Sequence, residues 1–102
     1  MTRIAIAGAA GRMGQALIQA VTSDAELELA HAFEQPGHTS LGIDAGVVAG
    51  LDRVGILLTD SIDSSDFDLL ITFTTPTATM EHLAYCQSQG RRMVIGTTGL
   101  EE

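Results

Sequence analysis

Short apolar runs alternate along the chain with segments in which apolar residues recur at helical spacing. The runs predict strands at residues 3–7, 26–33, 54–59, 68–73 and 93–95. The first run is apolar on both faces, which is typical of a central strand in a parallel sheet. A helix packed on the sheet is predicted at residues 12–22, where the i, i+3, i+4 positions are Met13, Ala16, Leu17, Ala20 and Val21.

A second helix is predicted at residues 76–89, with Pro76 in its first turn and Gly90 just after its end. Residues 35–53 are rich in glycine and show no clear period, so they predict a long loop with a short helical turn near 44–49. The order β-α-β-(β)-β-α-β predicts an α/β fold with a doubly wound parallel sheet. This Rossmann-like arrangement has three α/β/α layers and a ligand crevice at the carboxyl ends of the strands.

Three glycines stand where the first strand meets the first helix. The strand leads directly into Gly8-Ala-Ala-Gly11-Arg-Met-Gly14, and the helical pattern follows at once. A dinucleotide pyrophosphate requires this order, because the glycines allow a sharp turn, a close approach of backbone N–H groups and close helix packing. The spacing G-x-x-G-x-x-G is a variant of the usual fingerprint. A tight turn without any ligand would use the same glycines, so the motif needs support from elsewhere.

An acidic residue supplies that support. Glu34 ends the second predicted strand and lies 20 residues after Gly14. A carboxylate at this place accepts hydrogen bonds from the 2′- and 3′-hydroxyls of an adenosine ribose. The alternation of strands and helices also continues through the rest of the chain. Both observations favour dinucleotide binding over an empty turn.

Composition narrows the function classes. Hydrophobic residues make up 45% of the 102 residues, which suits one small folded domain. Thirteen acidic residues against five basic ones give a net charge of −8, so nucleic acid is not expected as a partner. No apolar stretch reaches the length of a membrane span and no signal peptide is recognisable, so we expect no membrane partner. The single cysteine, Cys86, fits a cytoplasmic protein without disulfides.

Three loops are expected to meet at the carboxyl edge of the sheet, and they span residues 8–14, 73–76 and 96–99. Arg12 begins the first helix, where a cation is unfavourable unless an anion lies nearby, so a phosphate or ribose role is favoured. The other two loops offer hydroxyl and N–H groups that suit either ligand contact or ordinary turn capping, and these belong to Thr74, Thr97 and Thr98.

The remaining reactive side chains predict neither a catalytic site nor a metal site. His31 lies inside a strand and is interpreted as structural, and His38 lacks a second ligand at metal spacing. Cys86 is interpreted as a small buried hydrophobe. Met13 and Met80 suit either the core or the lining of a nucleotide pocket. With no general acid and no activated nucleophile, no catalytic residue is predicted in the chain.

Four segments carry a more specific signature, at residues 4–14, 41–46, 73–76 and 93–99. The most specific parts are Gly-Arg-Met-Gly in the first and Gly-Thr-Thr-Gly in the last. Together they resemble dihydrodipicolinate reductase over essentially the whole chain. The resemblance implies a protein that reduces 4-hydroxy-tetrahydrodipicolinate with NADH or NADPH, on the bacterial and plant route to diaminopimelate and lysine.

The resemblance also implies roles for individual residues. The pyrophosphate would be held by Gly8, Ala9, Ala10, Gly11, Arg12 and Met13. Glu34 would hold the adenosine ribose. The nicotinamide and the edge of the substrate site would meet Gly96, Thr97 and Thr98. The substrate would be a cyclic dicarboxylate, and the full-length protein would be a homotetramer built mainly by a second domain.

Two departures from the family pattern concern the cofactor. Gln35 stands where relatives often place an arginine that pairs with the 2′-phosphate of NADP, and a neutral glutamine forms no such ion pair. This predicts a preference for NADH, or little discrimination. Thr72 and Thr75 stand where aspartate and arginine are common, which weakens any phosphate contact expected there.

The catalytic motif of the family, a His-His pair followed by a lysine, would lie beyond residue 102. We therefore expect residues 1–102 to be a dinucleotide-binding domain, C-terminally truncated and inactive without its substrate domain. Two alternatives are the cofactor domain of another amino-acid dehydrogenase and a non-catalytic nucleotide- or CoA-binding regulatory domain.

Overall fold

The computed structural model describes residues 2–61, 67–73 and 76–95. Within these residues the elements are β1 Thr2–Ala7, α1 Arg12–Ser23, β2 Leu27–Phe33, α2 Ala45–Val48, β3 Leu58–Thr59, β4 Leu69–Thr72, α3 Pro76–Gln89 and β5 Arg92–Ile95. Both predicted long helices and four of the five predicted strands lie within one residue of these bounds. The hydrophobic pattern therefore located most of the regular structure.

The strands form a parallel sheet in the order β3-β2-β1-β4-β5. The chain moves outward from β1 through β2 to β3, and then returns to the other side of β1 to form β4 and β5. The strand order thus reverses beside β1, which confirms the predicted doubly wound sheet. In such sheets the loops at the reversal leave a crevice, here between the carboxyl ends of β1 and β4.

Helices cover both faces of the sheet. On one face Ile18 of α1 and Ala45 of α2 pack with Ile4 and Ile6 of the central strand. On the other face Cys86 of α3 packs in a cluster that includes Phe67 and Leu70. Burial of each large apolar side chain stabilises the fold by roughly 1.5–3 kcal/mol. The two clusters confirm the three-layer α/β/α arrangement.

The third predicted strand, at residues 54–59, is wrong for most of its length, since β3 contains only Leu58 and Thr59. The preceding residues bind a different segment instead. The N–H of Ala45 donates to the carbonyl of Ile56 at 2.7 Å, and the N–H of Leu58 donates to that of Ile43 at 3.0 Å. These antiparallel contacts fold residues 42–57 into a closed turn around α2, so the apolar residues before Leu58 do not reach β2.

The predicted turns around these elements are partly described. The loop at 35–53 with its short helical turn is confirmed, and α2 is that turn. Gly90 follows α3 with φ of 69°, as a left-handed helix terminator does. Predictions for Thr74 and Thr75, and for residues 96–99, lie outside the described residues.

Candidate functional site

The loop after β1 lies directly beside the end of β4. Gly8 has φ of +78°, a conformation that side chains disfavour. A Cβ at Gly8 would also lie 2.7 Å from the carbonyl oxygen of Phe73, so there is no space for one. The glycine loop and the end of β4 therefore meet at the reversal of strand order, where ligands bind in sheets of this kind.

The other two glycines of the motif differ in what requires them. A Cβ at Gly14 would lie 2.2 Å from the carbonyl oxygen of Gly8, so α1 packs against the loop at a distance that only glycine permits. Gly11 is exposed and has an ordinary φ of −74°, and the nearest atom to its Cβ would be the Gly8 oxygen at 3.4 Å. The fold requires Gly8 and Gly14, whereas Gly11 leaves open space in front of the helix.

The N–H groups of the loop itself are engaged within the protein. Those of Gly8 and Ala9 both donate to the carbonyl of Phe33, at 3.0 and 3.1 Å, and that of Gly11 donates to Gly8 at 3.1 Å. The N–H of Ala10 donates to Oε2 of Glu34 at 2.9 Å. The backbone donors predicted at residues 8–11 are therefore used to hold the loop together.

The donors that face outward belong to the first turn of α1. Its N-cap, Gly11, has no side chain to bind them, and the first turn carries no acidic residue. The N–H groups of Arg12 and Met13 accordingly have no acceptor among the described residues. Both side chains are exposed, with 47% of Met13 accessible. This end of the helix presents unpaired donors and the positive end of the helix dipole, an arrangement that suits an anion.

Glu34 lies at the same edge, at the end of β2. Its Oε2 binds the N–H of Ala10, and its Oε1 accepts from the N–H of Gln35 at 3.1 Å. The carboxylate is only half-buried. Each carboxylate oxygen can accept more than one hydrogen bond, so Glu34 is held in place and still has capacity for two hydroxyl groups. The site thus combines a helix end that suits an anion with a fixed carboxylate.

The other side chains considered from the sequence lie away from this site or on its surface. His31 stacks on Phe33 with ring centroids 5.9 Å apart, consistent with a structural role. Cys86 is fully buried, and burial raises the pKa of its thiol, consistent with the predicted small buried hydrophobe. Met13 and Met80, which is 62% exposed, do not belong to the core.

Gly96, Thr97 and Thr98 lie outside the described residues. In the part of the chain described, no three His, Cys, Asp or Glu side chains are placed to hold a metal ion.

Two residues of local importance were missed from the sequence. Nε2 of Gln15 donates to the carbonyl of Ala10 at 2.7 Å. Asp44, which is 5% exposed, accepts from the N–H groups of Gly46, Val54 and Gly55 at 2.8–2.9 Å. Asp44 had a sequence signal, since an aspartate two residues before a glycine suits a helix N-cap. Gln15 had none, because a glutamine on a helix surface usually faces solvent.

A family model described as dihydrodipicolinate reductase, N-terminus, matches residues 2–102. The chain belongs to this family. It is also similar to the solved structure of a dipicolinate-bound dihydrodipicolinate reductase from Paenisporosarcina sp. TG-14, with 26% sequence identity and a TM-score of 0.69. The match covers 97% of this chain and 38% of that one, so the chain spans well under half of the length of the relative.

Family membership confirms the resemblance found in the sequence motifs. It also confirms the Rossmann-like fold and the cofactor class, NADH or NADPH. The match favours this family over the other dehydrogenases and the regulatory domains considered from the sequence. Among the helices of the described residues, none is long and apolar enough to cross a membrane.

Proposed function

We propose that residues 1–102 are the dinucleotide-binding domain of a reductase that converts 4-hydroxy-tetrahydrodipicolinate to tetrahydrodipicolinate in diaminopimelate and lysine biosynthesis. The observation that carries this proposal is the pairing of outward N–H groups at the start of α1 with the fixed carboxylate of Glu34. One feature suits a pyrophosphate and the other a ribose, and both lie at the reversal of strand order.

Each residue of the site has a defined task in this proposal. The N–H groups of Arg12 and Met13 bind the pyrophosphate, and the Arg12 guanidinium adds a positive charge beside it. Gly11 keeps side-chain atoms out of the space between. Glu34 accepts from the ribose hydroxyls. Gly96, Thr97 and Thr98 would meet the nicotinamide, which supplies the hydride when it is bound.

The substrate and the assembly are proposed from the family. The similar solved structure is described as bound to dipicolinate, a cyclic dicarboxylate, which supports a substrate of that class. Its binding site and the proton-handling residues would belong to a second domain outside residues 1–102. We further propose a cytoplasmic homotetramer for the full-length protein.

NADH is the proposed cofactor of choice. All five basic residues are arginines, and Arg3, Arg91 and Arg92 lie at or next to the amino ends of β1 and β5, on the side of the sheet opposite the site. At the end of β2, a 2′-phosphate would meet the carboxylate of Glu34 and the neutral Gln35. Repulsion by that carboxylate, with Gln35 where an arginine would pair with the phosphate, disfavours NADPH.

Calorimetric titration with NADH, NADPH and coenzyme A at fixed salt tests these proposals. We expect NADH to bind more tightly than NADPH, and Gly11→Val to abolish binding because its side chain fills the space before the helix. Gln35→Arg should improve NADPH affinity about tenfold, the effect of one charge-assisted contact. Binding of coenzyme A alone would contradict the reductase proposal, and a strong preference for NADPH would contradict the cofactor assignment.

A further inference from the structure

Gln15 makes a contact that dinucleotide binding by the helix N-terminus does not explain. It lies in the first turn of α1 and is half-buried. Its Nε2 reaches back to the carbonyl oxygen of Ala10, at 2.7 Å. This bond joins the helix to the tip of the loop that precedes it, two residues before the outward-facing donors.

The contact completes a set of hydrogen bonds made by the two peptide groups on either side of Ala10. The N–H of Ala10 donates to Glu34 at 2.9 Å, and its carbonyl accepts from Gln15. The next N–H, that of Gly11, donates to the Gly8 carbonyl at 3.1 Å. Both ends of the Ala10–Gly11 peptide are therefore fixed. Without these bonds, a peptide next to glycine would have several accessible orientations.

The orientation of this peptide matters to an anion in front of α1. A carbonyl oxygen carries a partial negative charge, and a peptide released from Gln15 can turn the Ala10 oxygen away from the helix and toward the open space in front of Gly11. Such an oxygen would repel a pyrophosphate that the N–H groups of Arg12 and Met13 attract. As long as Gln15 binds the Ala10 carbonyl, this rotation is blocked.

We propose that Gln15 is a positioning residue for the pyrophosphate loop, which holds the Ala10 carbonyl away from the anion without touching the dinucleotide. The proposal rests on the dinucleotide-binding function proposed above. The alternative role for Gln15 is a bond that stabilises the fold and has no effect on the ligand.

Gln19 provides a matched control on the same helix. Its Nε2 also donates to a backbone carbonyl at 2.7 Å, that of Ala49, just after α2. The two bonds have the same chemistry and length, and lie one helical turn apart. Only the bond of Gln15 involves the glycine loop. The variants Gln15→Met and Gln19→Met remove the two bonds while keeping similar side-chain volumes.

The test measures calorimetric binding of NADH to the full-length protein and to both variants. We expect Gln15→Met to weaken NADH binding about fivefold and Gln19→Met to weaken it less than about twofold, because only the first loses a hydrogen bond that orients the site. Adenosine, which has the ribose but no phosphate, should bind to Gln15→Met and to the wild type equally.

A measurement without ligand separates positioning from general stabilisation. The amide proton of Gly11 should exchange with solvent faster in Gln15→Met than in Gln19→Met, because rotation of the peptide breaks its bond to Gly8. Equal NADH affinities in the two variants, or a loss of adenosine binding as large as that of NADH binding, would overturn the positioning role alone. A wild type that binds neither dinucleotide would overturn the proposed function and this inference with it.

Discussion

Two carboxylates close two glycine-containing turns in this chain, and they are used differently. Asp44 accepts three backbone N–H groups in the turn at residues 42–57 and is 5% exposed. Glu34 accepts two, from Ala10 and Gln35, and is half-buried. Both hold irregular backbone in place. Asp44 has its capacity filled by the fold, whereas Glu34 retains capacity at the edge where sheets of this kind bind ligands.

The glycines of the two turns show the same division. A Cβ at Gly46 would lie 2.2 Å from the carbonyl of Asp52, and one at Gly14 would lie equally close to Gly8. Gly11 has no such neighbour. A carboxylate whose hydrogen bonds all go to the backbone, or a glycine enclosed by backbone atoms, stabilises the fold. A carboxylate or glycine that is held in place but still faces open space is available to a ligand. This difference separates structural from functional residues without reference to any relative.

Of the substitutions considered, removal of the Asp44 carboxylate should lower the free energy of unfolding the most. Asp44→Ala removes a buried acceptor from three N–H groups, one of them on the buried Gly46, so we expect the free energy of unfolding to fall by about 3 kcal/mol. Glu34→Ala, the matched change at the other turn, should lower it by less than about 1 kcal/mol, because the Ala10 and Gln35 donors can reach water. Urea unfolding of both variants measures the comparison. Equal losses would mean that Glu34 is mainly structural.

The next largest difference in stability is expected between substitutions of Gly14 and Gly11. Gly14→Ala forces a methyl group against the loop backbone and should destabilise the protein by about 2 kcal/mol. Gly11→Ala should change stability by less than about 0.5 kcal/mol, since its Cβ meets nothing closer than 3.4 Å. Dinucleotide affinity, measured on the same variants by calorimetry, should nevertheless fall for Gly11→Ala. Unchanged affinity in Gly11→Ala would show that the space before the helix is not used.

Substitution of Glu34 should weaken NADH binding, and the loss should depend on the adenosine ribose. We expect Glu34→Gln to weaken NADH binding about tenfold, since the neutral amide loses charge-assisted bonds to the ribose hydroxyls. Reduced nicotinamide mononucleotide, which lacks the adenosine ribose, is the control ligand, and its affinity should fall much less. A similar loss for both ligands would place the effect of Glu34 in the loop conformation, through Ala10, and not in ribose recognition.

The sequence predicted the parts of this molecule that depend on local pattern. Apolar spacing located α1 and β1, and the distance from Gly14 to Glu34 identified the carboxylate at the end of β2. The strand at 54–59 was mostly wrong because tertiary hydrogen bonds to the residues around Asp44 override the β-propensity of that apolar run.

The missed contacts depend on how distant backbone groups meet. Val54 and Gly55 lie 10 and 11 residues beyond Asp44. The spacing of apolar and polar residues does not indicate that these two N–H groups bind the same carboxylate. The bond from Gln15 to Ala10 is local in sequence, but it requires the loop to turn back over the helix. Composition and spacing do not reveal this, so the sequence predicted which loops meet at the carboxyl edge of the sheet but not the hydrogen bonds that hold the glycine loop in place.

The smallest predicted effect is the pH dependence of stability at Asp44. The N–H of Val54 is the main cause that lowers the pKa of Asp44 below its ordinary value of 3.8; burial opposes it, and the N–H groups of Gly55 and Gly46 add to the lowering. A lowered pKa in the folded state means that the charged carboxylate stabilises the fold above pH 3.8, and that this stabilisation is lost as the pH falls through the folded value.

Asp44→Asn isolates this contribution, because the other carboxylates titrate alike in both proteins. Urea unfolding from pH 7 to pH 3 should show a constant difference in the free energy of unfolding down to about pH 4, and a smaller difference below it. The effect is small because burial partly cancels the hydrogen bonds. A difference that stays constant through pH 3 would mean that Asp44 acts only through the shape of its hydrogen bonds, and that its charge contributes nothing.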